Sequence, residues 1–337
     1  MKIRKLAFIG LAAAAAVSLA ACSSSAPSGE GAANSDEPIK IRIQSQASIA
    51  AEPMYMCVED GTFEKEGLDV EVTELPDLPA ATAALQAGKL ELAFVPTISA
   101  LTMARQNVPI TMIAAADGIN PAAADASLEE QREYTSVGVY VSKGSGIESI
   151  EDMGGDTSIA VPELKGQPDG TITSVLHEAG VDTADIEWLK LGFQPALDAL
   201  KSDQLDAAFL VSPFSIEADE AGLKRVMNPS VEFFPKGSAT TSWAGNTEWV
   251  EKNPEAVERF QTAIQKCNAA ANENLDEVKQ HVIDRAGLKL SPADMPQSYF
   301  PETIDPDQLA EVDQKLTDIE FFPETIDVTE ILSVPGK

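Results

Sequence analysis

The sequence predicts an α/β protein built as two lobes, and three observations carry that reading. From Ile39 onward, short apolar strands alternate with helices that open on proline and close on glycine. The same alternation starts afresh at Val137. One helix–turn–strand unit also occurs twice. Ala84-Leu85-Gln86-Ala87-Gly88-Lys89-Leu90-Glu91-Leu92-Ala93-Phe94-Val95 returns as Ala199-Leu200-Lys201-Ser202-Asp203-Gln204-Leu205-Asp206-Ala207-Ala208-Phe209-Leu210. Five of these twelve positions are identical, and Glu91 aligns with Asp206. The separation is too long for a solenoid repeat, so the match marks equivalent units in two similar lobes.

The elements follow in order. Ile39-Lys40-Ile41-Arg42-Ile43 alternates strictly and reads as a strand. Glu52 to Asp60 is a short helix closed by Gly61, and Leu68, Val70 and Val72 alternate again. A helix starts at Pro79, runs through Leu85 and stops at Gly88. Leu92 to Val95 and Pro109 to Ala115 are buried strands, so a largely parallel sheet is expected. In the second series Val137, Val139 and Val141 form a strand, Ile147 to Met153 a short helix, and Ser158 to Val161 a strand. Thr171 to Ala179 is a helix ended by Gly180, Ile186 to Leu191 a strand, Pro195 to Ser202 a helix, and Ala207 to Val211 a strand. The remainder reads as helical, with an amphipathic stretch from Pro254 to about Ala270 continued by Asp276 to Arg285. Phe300-Pro301-Glu302-Thr303-Ile304-Asp305 recurs as Phe322-Pro323-Glu324-Thr325-Ile326-Asp327, each copy breaking the chain before a new helix or turn. The acidic segment 300–337 reads as a solvated face.

The N-terminus bears on the compartment. Lys2, Arg4 and Lys5 precede an apolar stretch from Leu6 to Ala21, the layout of an export signal. Those 16 residues fall short of the roughly 20 that span a bilayer. Leu19-Ala20-Ala21-Cys22 resembles a bacterial lipobox. That resemblance implies a signal peptide over 1–21, cleavage before Cys22, and acylation of its thiol with palmitate-type chains. Residues 22–38 then form a flexible tether without large apolar side chains, reaching on the order of 20 Å as a coil. Cys57 and Cys267 remain, either as a disulfide of an exported chain or as two small buried apolar residues.

Charge excludes several function classes. The 337 residues carry 54 Asp+Glu against 24 Lys+Arg, for a net −30; loss of the signal leaves 21 basic residues and −33. A nucleic-acid binder needs a basic stripe, and none is present. A hydrophobic content of 44% is enough to build cores, which separates the chain from acidic disordered polymers. Two His and three Cys leave little for a metal centre. His177 and His281 sit on helical segments without a recognisable nucleophile, and Gly144-Ser145-Gly146 lacks the Lys-Ser/Thr ending of a phosphate loop. No catalytic residue, metal or cofactor is expected.

An ordered set of motifs adds a resemblance. Ala51-Glu52-Pro53-Met54-Tyr55 and Gly61-Thr62-Phe63-Glu64-Lys65-Glu66-Gly67-Leu68-Asp69-Val70 come first, followed by Ala84-Leu85, Gly88 and Glu91-Leu92-Ala93-Phe94. Gly144 to Gly146, Ser149 to Gly155, Ser158 to Val161 and Lys252-Asn253-Pro254-Glu255 complete the set. Together, from about Ile39 to Ile331, they resemble the solute-binding proteins of ABC importers for nitrate, sulfonate, taurine and thiamine-pyrimidine precursors. The resemblance implies a type II periplasmic-binding-protein fold with a hinge and a central ligand cleft. Lobe 1 would take 39–135 plus 236–337, and lobe 2 would take 136–235. It also implies a monomer, lipid-anchored on the outer face of the cell membrane, that delivers its solute to ABC permease subunits backed by a cytoplasmic ATPase. Two other readings stand beside it: an enzyme on the same fold, in thiamine-pyrimidine or menaquinone synthesis, and a surface adhesin lipoprotein.

Open α/β sheets bind ligands beyond the carboxyl ends of their strands. That rule, and the resemblance, point to Ser45, Gln46, Ala47 and Glu52, to Asp77 and Leu78, and to Pro96 and Thr97 in the first lobe. In the second they point to Glu163, Lys165, Gly166 and Gln167, to Phe193 and Gln194, and to Ser212 and Phe214. These loops hold no Arg and one Lys, with Glu52, Asp77, Glu163 and Asp169 close by. A small polar organic solute rich in hydrogen-bond donors, an amine or aminopyrimidine, suits them better than a sulfonate or nitrate.

Overall fold

The computed structural model describes residues 37–46, 48–75 and 78–333. The signal segment 1–21, Cys22 and all but the end of the tether lie outside the described residues, as do Ala47 and Asp77. Among the described residues no helix is long and apolar enough to cross a membrane.

Among the described residues ten strands form two five-stranded sheets. The first takes β1 (Ile39–Ser45), β2 (Leu68–Glu74), β3 (Leu92–Pro96), β4 (Thr111–Gly118) and β10 (Ala239–Gly245), in the order β2-β1-β3-β10-β4. The second takes β5 (Gly138–Val141), β6 (Ser158–Val161), β7 (Glu187–Lys190), β8 (Ala207–Leu210) and β9 (Lys224–Met227), in the order β7-β6-β8-β5-β9. The two orders match position by position. In each sheet one strand is reversed: β10 runs antiparallel to β3 and β4, and β5 runs antiparallel to β8 and β9. The expectation of a largely parallel sheet therefore holds for the other strands. The reversed strand is the one by which the chain enters after crossing from the other sheet, first over 119–137 and back over 228–238. This is the two-lobed arrangement that the resemblance implies.

Twelve helices among the described residues cover the sheets: α1 (Glu52–Glu59), α2 (Thr62–Lys65), α3 (Leu78–Gln86), α4 (Thr97–Arg105), α5 (Gln167–Glu178), α6 (Phe193–Lys201), α7 (Phe214–Glu220), α8 (Pro229–Phe233), α9 (Thr247–Lys252), α10 (Pro254–Glu273), α11 (Leu275–Ala286) and α12 (Pro306–Asp318). On the first sheet, α10 buries Phe260 edge-on to Trp243 of β10 and stacked on Phe63 of α2, with centroids 6.4 and 5.7 Å apart. Burying each such ring stabilises the fold by about 1.5–3 kcal/mol. Cys57 of α1 and Cys267 of α10 form a disulfide in the same core, which decides between the two readings of those cysteines.

Behind the sheets α12 packs against both α4 and α5. A Cβ on Gly170 of α5 would lie 3.2 Å from the Phe321 ring and 3.4 Å from Leu316, so a larger residue there would wedge this contact apart. The acidic C-terminal segment is thus not wholly a solvated face. Asp313 of α12 is 1% exposed and pairs with Arg105 of α4, whose guanidinium stacks 3.8 Å from the centroid of the Phe322 ring. The repeated hexapeptide also has a structural role. Phe300 and Phe322 are buried, while Asp305 caps the first turn of α12 through the Asp307 amide and Asp327 accepts from the Thr329 amide.

Several elements depart from expectation. The helix read at Ile147 to Met153 is a single tight turn, Ile150–Asp152, capped reciprocally by Ser149 and Asp152. The helix read from Thr171 begins at Gln167, because Asp169 accepts the Lys165 and Gly166 amides at 2.6 and 2.8 Å and so starts it a turn earlier. Helix α4 was unforeseen; residues 97–101 are all buried, so it shows no amphipathic face. Strand β10 falls in a stretch read as helical. It is a central strand buried at every position, with Thr240, Thr241 and Ser242 satisfied by hydrogen bonds, so no polar–apolar alternation marks it.

Candidate ligand cavity

A cavity of about 330 Å³ opens where the carboxyl ends of the two sheets face each other. Gln46 enters it from the end of β1, Phe94 from β3, and Asp117 and Gly118 from the end of β4. Phe209, Val211 and Ser212 enter from β8, Gln167 from the start of α5, and Phe193 from the start of α6. The two crossings supply its floor through Tyr134, Thr135, Ser230 and Val231. A third wall comes from α11 and the segment after it, through Val282, Leu288, Met295 and Tyr299. A smaller cavity of about 210 Å³ lies at the outer edge of β4, against Gln261 and Leu332, away from these strand ends.

Of the sequence-predicted residues, Gln46, Gln167, Phe193 and Ser212 come together in the main cavity. The Gln167 Oε1 is buried and has no hydrogen-bond partner among the described residues. A buried acceptor left in that state costs about 1–3 kcal/mol, so it suits a donor brought by a ligand or by water. Phe214 does not line the cavity but stacks on Phe193 at 5.6 Å and holds that ring in place.

The other predicted residues stand outside the cavity lining, most of them engaged by the protein itself. Ser45 is fully buried at the end of β1, and its hydroxyl has no hydrogen-bond partner among the described residues. Glu52 is 0% exposed and lies between two basic partners on α11: His281 Nδ1 at 2.5 Å and the Arg285 guanidinium at 2.6 Å. Leu78 packs into the apolar core at the start of α3. Pro96 caps α4, and the Thr97 hydroxyl donates to the Ala239 carbonyl at 3.0 Å. Glu163 accepts the Ser99 hydroxyl at 3.2 Å, and burial raises its pKa. The Lys165 carbonyl accepts the Thr102 hydroxyl at 3.2 Å, while its exposed side chain stands outside the cavity. The Gly166 amide donates to Asp169, and Gln194 is exposed and donates to Asp198 at 3.0 Å. Glu163 and Lys165 thus join α4 to the loop before α5. Ala47, Asp77 and Cys22 lie outside the described residues.

Sequence reasoning missed the most distinctive group. Asp117 is half-buried at the end of β4 and faces the cavity. The Thr240 and Thr241 hydroxyls both donate to its Oδ1, the former at 2.9 Å. Burial raises its pKa, against the smaller opposing effect of the two hydroxyls and its own backbone amide. The same strand-end rule would have found it: Asp117 is the one acid closing the apolar run Ile113-Ala114-Ala115-Ala116, but the strand was ended at Ala115. Among the lining residues there is no Lys, Arg or His.

Known proteins with the same features can now be placed beside this geometry. The NMT1/THI5 like family model matches residues 49–278. A curated relative from Brucella abortus, named only as a binding protein, is 26% identical over 240 residues, 68% of each chain. The periplasmic aliphatic sulphonate binding protein SsuA from Escherichia coli superposes with a TM-score of 0.67 at 14% identity, over 89% of this chain and 94% of its own. The periplasmic nitrate-binding protein NrtA from Synechocystis PCC 6803 superposes with a TM-score of 0.67 at 14% identity, over 88% and 86%. At these identities the likeness gives the fold, that of periplasmic binding proteins, and not the ligand.

Proposed function

The chain belongs to the NMT1/THI5-like family, and from that premise we propose that it is the solute-binding component of an ABC importer. It captures a small polar organic solute in the cavity between its sheets and hands it to permease subunits driven by a cytoplasmic ATPase. The observation that carries this reading is the cavity itself. Both sheets contribute strand ends to it, both crossings floor it, and a buried Gln167 acceptor waits in it without a partner. Closure of residues 136–235 onto 39–135 plus 236–337, by bending at the crossings, would trap the solute. Cys22 anchors the protein to the outer face of the membrane, and it works as a monomer. Binding is favoured over catalysis because no Lys, His or Cys stands beside the hydroxyls of the cavity wall.

The test is a solute panel read by thermal shift together with small-angle scattering. A binding protein gains several degrees with its solute, since ligand binds the folded state alone, and its radius of gyration falls as the cleft closes. Turnover of a panel member would favour an enzyme. Stabilisation by no solute, with unchanged scattering, would favour a surface adhesin. Cys22→Ala should release the protein from membranes.

A further inference from the structure

The cavity has a charge character that its shape does not require. Among the described residues its one carboxylate is Asp117, which receives both threonine hydroxyls on Oδ1, leaving Oδ2 without a side-chain donor. No cationic side chain among the described residues lines the cavity to pair with it. A partly buried carboxylate is unfavourable when ionised and unpaired, and a cation placed against it reduces that cost. Gln167 Oε1 adds a second acceptor with no partner. Phe94, Tyr134, Phe193, Phe209 and Tyr299 surround these two acceptors with aromatic surface, which attracts planar groups and cations. An anion would find no Arg or Lys to hold it.

The geometry points to a monocationic solute: an ammonium or amidinium on an apolar, planar body, with its N–H groups donating to Asp117 Oδ2 and Gln167 Oε1 and its body against the rings. This deepens the solute-binding reading and rests on it. It assigns the charge recognition to Asp117, and not to the acids of the loops, since Glu52 and Glu163 are engaged elsewhere.

The test is calorimetric titration of the protein with benzamidine, phenethylamine, benzenesulfonate and benzyl alcohol. Both cations should bind more tightly than the sulfonate. Asp117→Asn should lower cation affinity by about 10- to 100-fold, the range for hydrogen bonds to a charged group, and lower benzyl alcohol affinity much less. Circular dichroism and melting of the variant establish that it is folded. Cation affinity of the wild type should fall as acid protonates Asp117. The groups facing it across β10 are threonine hydroxyls, and the other titratable side chains of the wall are the Tyr134 and Tyr299 phenols. An anion held by a protonated Asp117 would show the opposite pH trend. Tighter binding of benzenesulfonate, unaltered cation binding by Asp117→Asn, or no cation binding at all overturns the assignment. The first of these outcomes leaves the solute-binding reading standing. Absence of closure with every solute of the broader panel would instead remove that reading.

Discussion

Glu91 and Asp206 are structural counterparts, one in each sheet. The Glu91 carboxylate accepts the backbone N–H of Arg42 in β1 at 2.7 Å, and the Asp206 carboxylate accepts that of Ser158 in β6 at 2.9 Å. Each carboxylate sits just before the strand that occupies the third position of its sheet order, β3 or β8. Each receives the amide one residue ahead of the first paired residue, Ile43 opposite Leu92 and Ile159 opposite Ala207. The acid thus satisfies an amide of the neighbouring strand just ahead of the point where the two strands begin to pair.

From this follows a stability difference. Asp206 also accepts the Ser158 hydroxyl at 2.7 Å. Asp206→Ala strands the Ser158 amide in a partly buried site and should cost about 1–3 kcal/mol in urea unfolding. Asp206→Asn keeps an acceptor and should cost less. Equal stability of Asp206→Ala and the wild type would mean that water replaces the carboxylate fully.

The repeat around Glu91 and Asp206 was legible because its helices have one wet face and its strands stand at fixed distances from Gly and Pro signals. Burial on all sides erased the same legibility elsewhere. In α4, Thr97, Ile98, Ser99, Ala100 and Leu101 are all buried, and in β10 Thr and Ser stand in a core position because hydroxyls meet Asp117 and the Val95 carbonyl there. The cavity was half legible. Strand-end residues Gln46 and Ser212 follow from the topology rule, whereas Tyr134, Ser230 and Tyr299 come from crossings and a distant C-terminal segment that only the tertiary structure brings round. Glu52 was misplaced for a related reason. Its partners His281 and Arg285 lie more than 200 residues away, and no local pattern announces them.

The Glu52 cluster predicts a pH dependence. His281 stands between Glu52, at 2.5 Å from Nδ1, and Glu59, at 3.0 Å from Nε2. Burial disfavours its charge, but the two carboxylates outweigh burial and raise the imidazole pKa. A raised folded-state value means that the charged imidazole contributes its full stabilisation below about pH 6.5, the ordinary unfolded value, and loses it as pH rises through the folded value. His281→Asn should therefore lower the melting temperature most near pH 5.5 and least near pH 9. The same helix carries Val282 of the cavity wall, so the variant should also weaken solute binding more in acid than in base. A melting difference that grows with pH would show that the neutral imidazole is the stabilising form.

The disulfide should act on stability and not on binding. Cys57 and Cys267 are separated by 210 residues and join α1 to α10 within the first-sheet core, and neither lines the cavity. Closing so long a loop restricts the unfolded chain, and loss of the link is expected to cost about 2–5 kcal/mol. The double variant Cys57→Ser/Cys267→Ser should unfold at lower urea concentration yet bind solute with the wild-type affinity at 25 °C. A parallel loss of affinity would show that α1 and α10 position the cavity wall.

Asp117 should trade stability for recognition. Its pKa is raised by burial, so between its unfolded and folded values the native state holds a proton that the unfolded chain has released. Stability then falls as pH rises through that window, because the folded environment disfavours the ionised carboxylate. Asp117→Asn removes that charge while an amide oxygen can still accept the Thr240 and Thr241 hydroxyls. The unliganded variant should therefore melt above the unliganded wild type at pH 7.5, and the gap should close toward pH 4, where the wild-type group is protonated. With a saturating cationic solute the order should reverse, because the wild type alone gains the charge pair. A variant less stable than the wild type at every pH would mean that the threonine contacts need the carboxylate itself, and that the charge is held without cost.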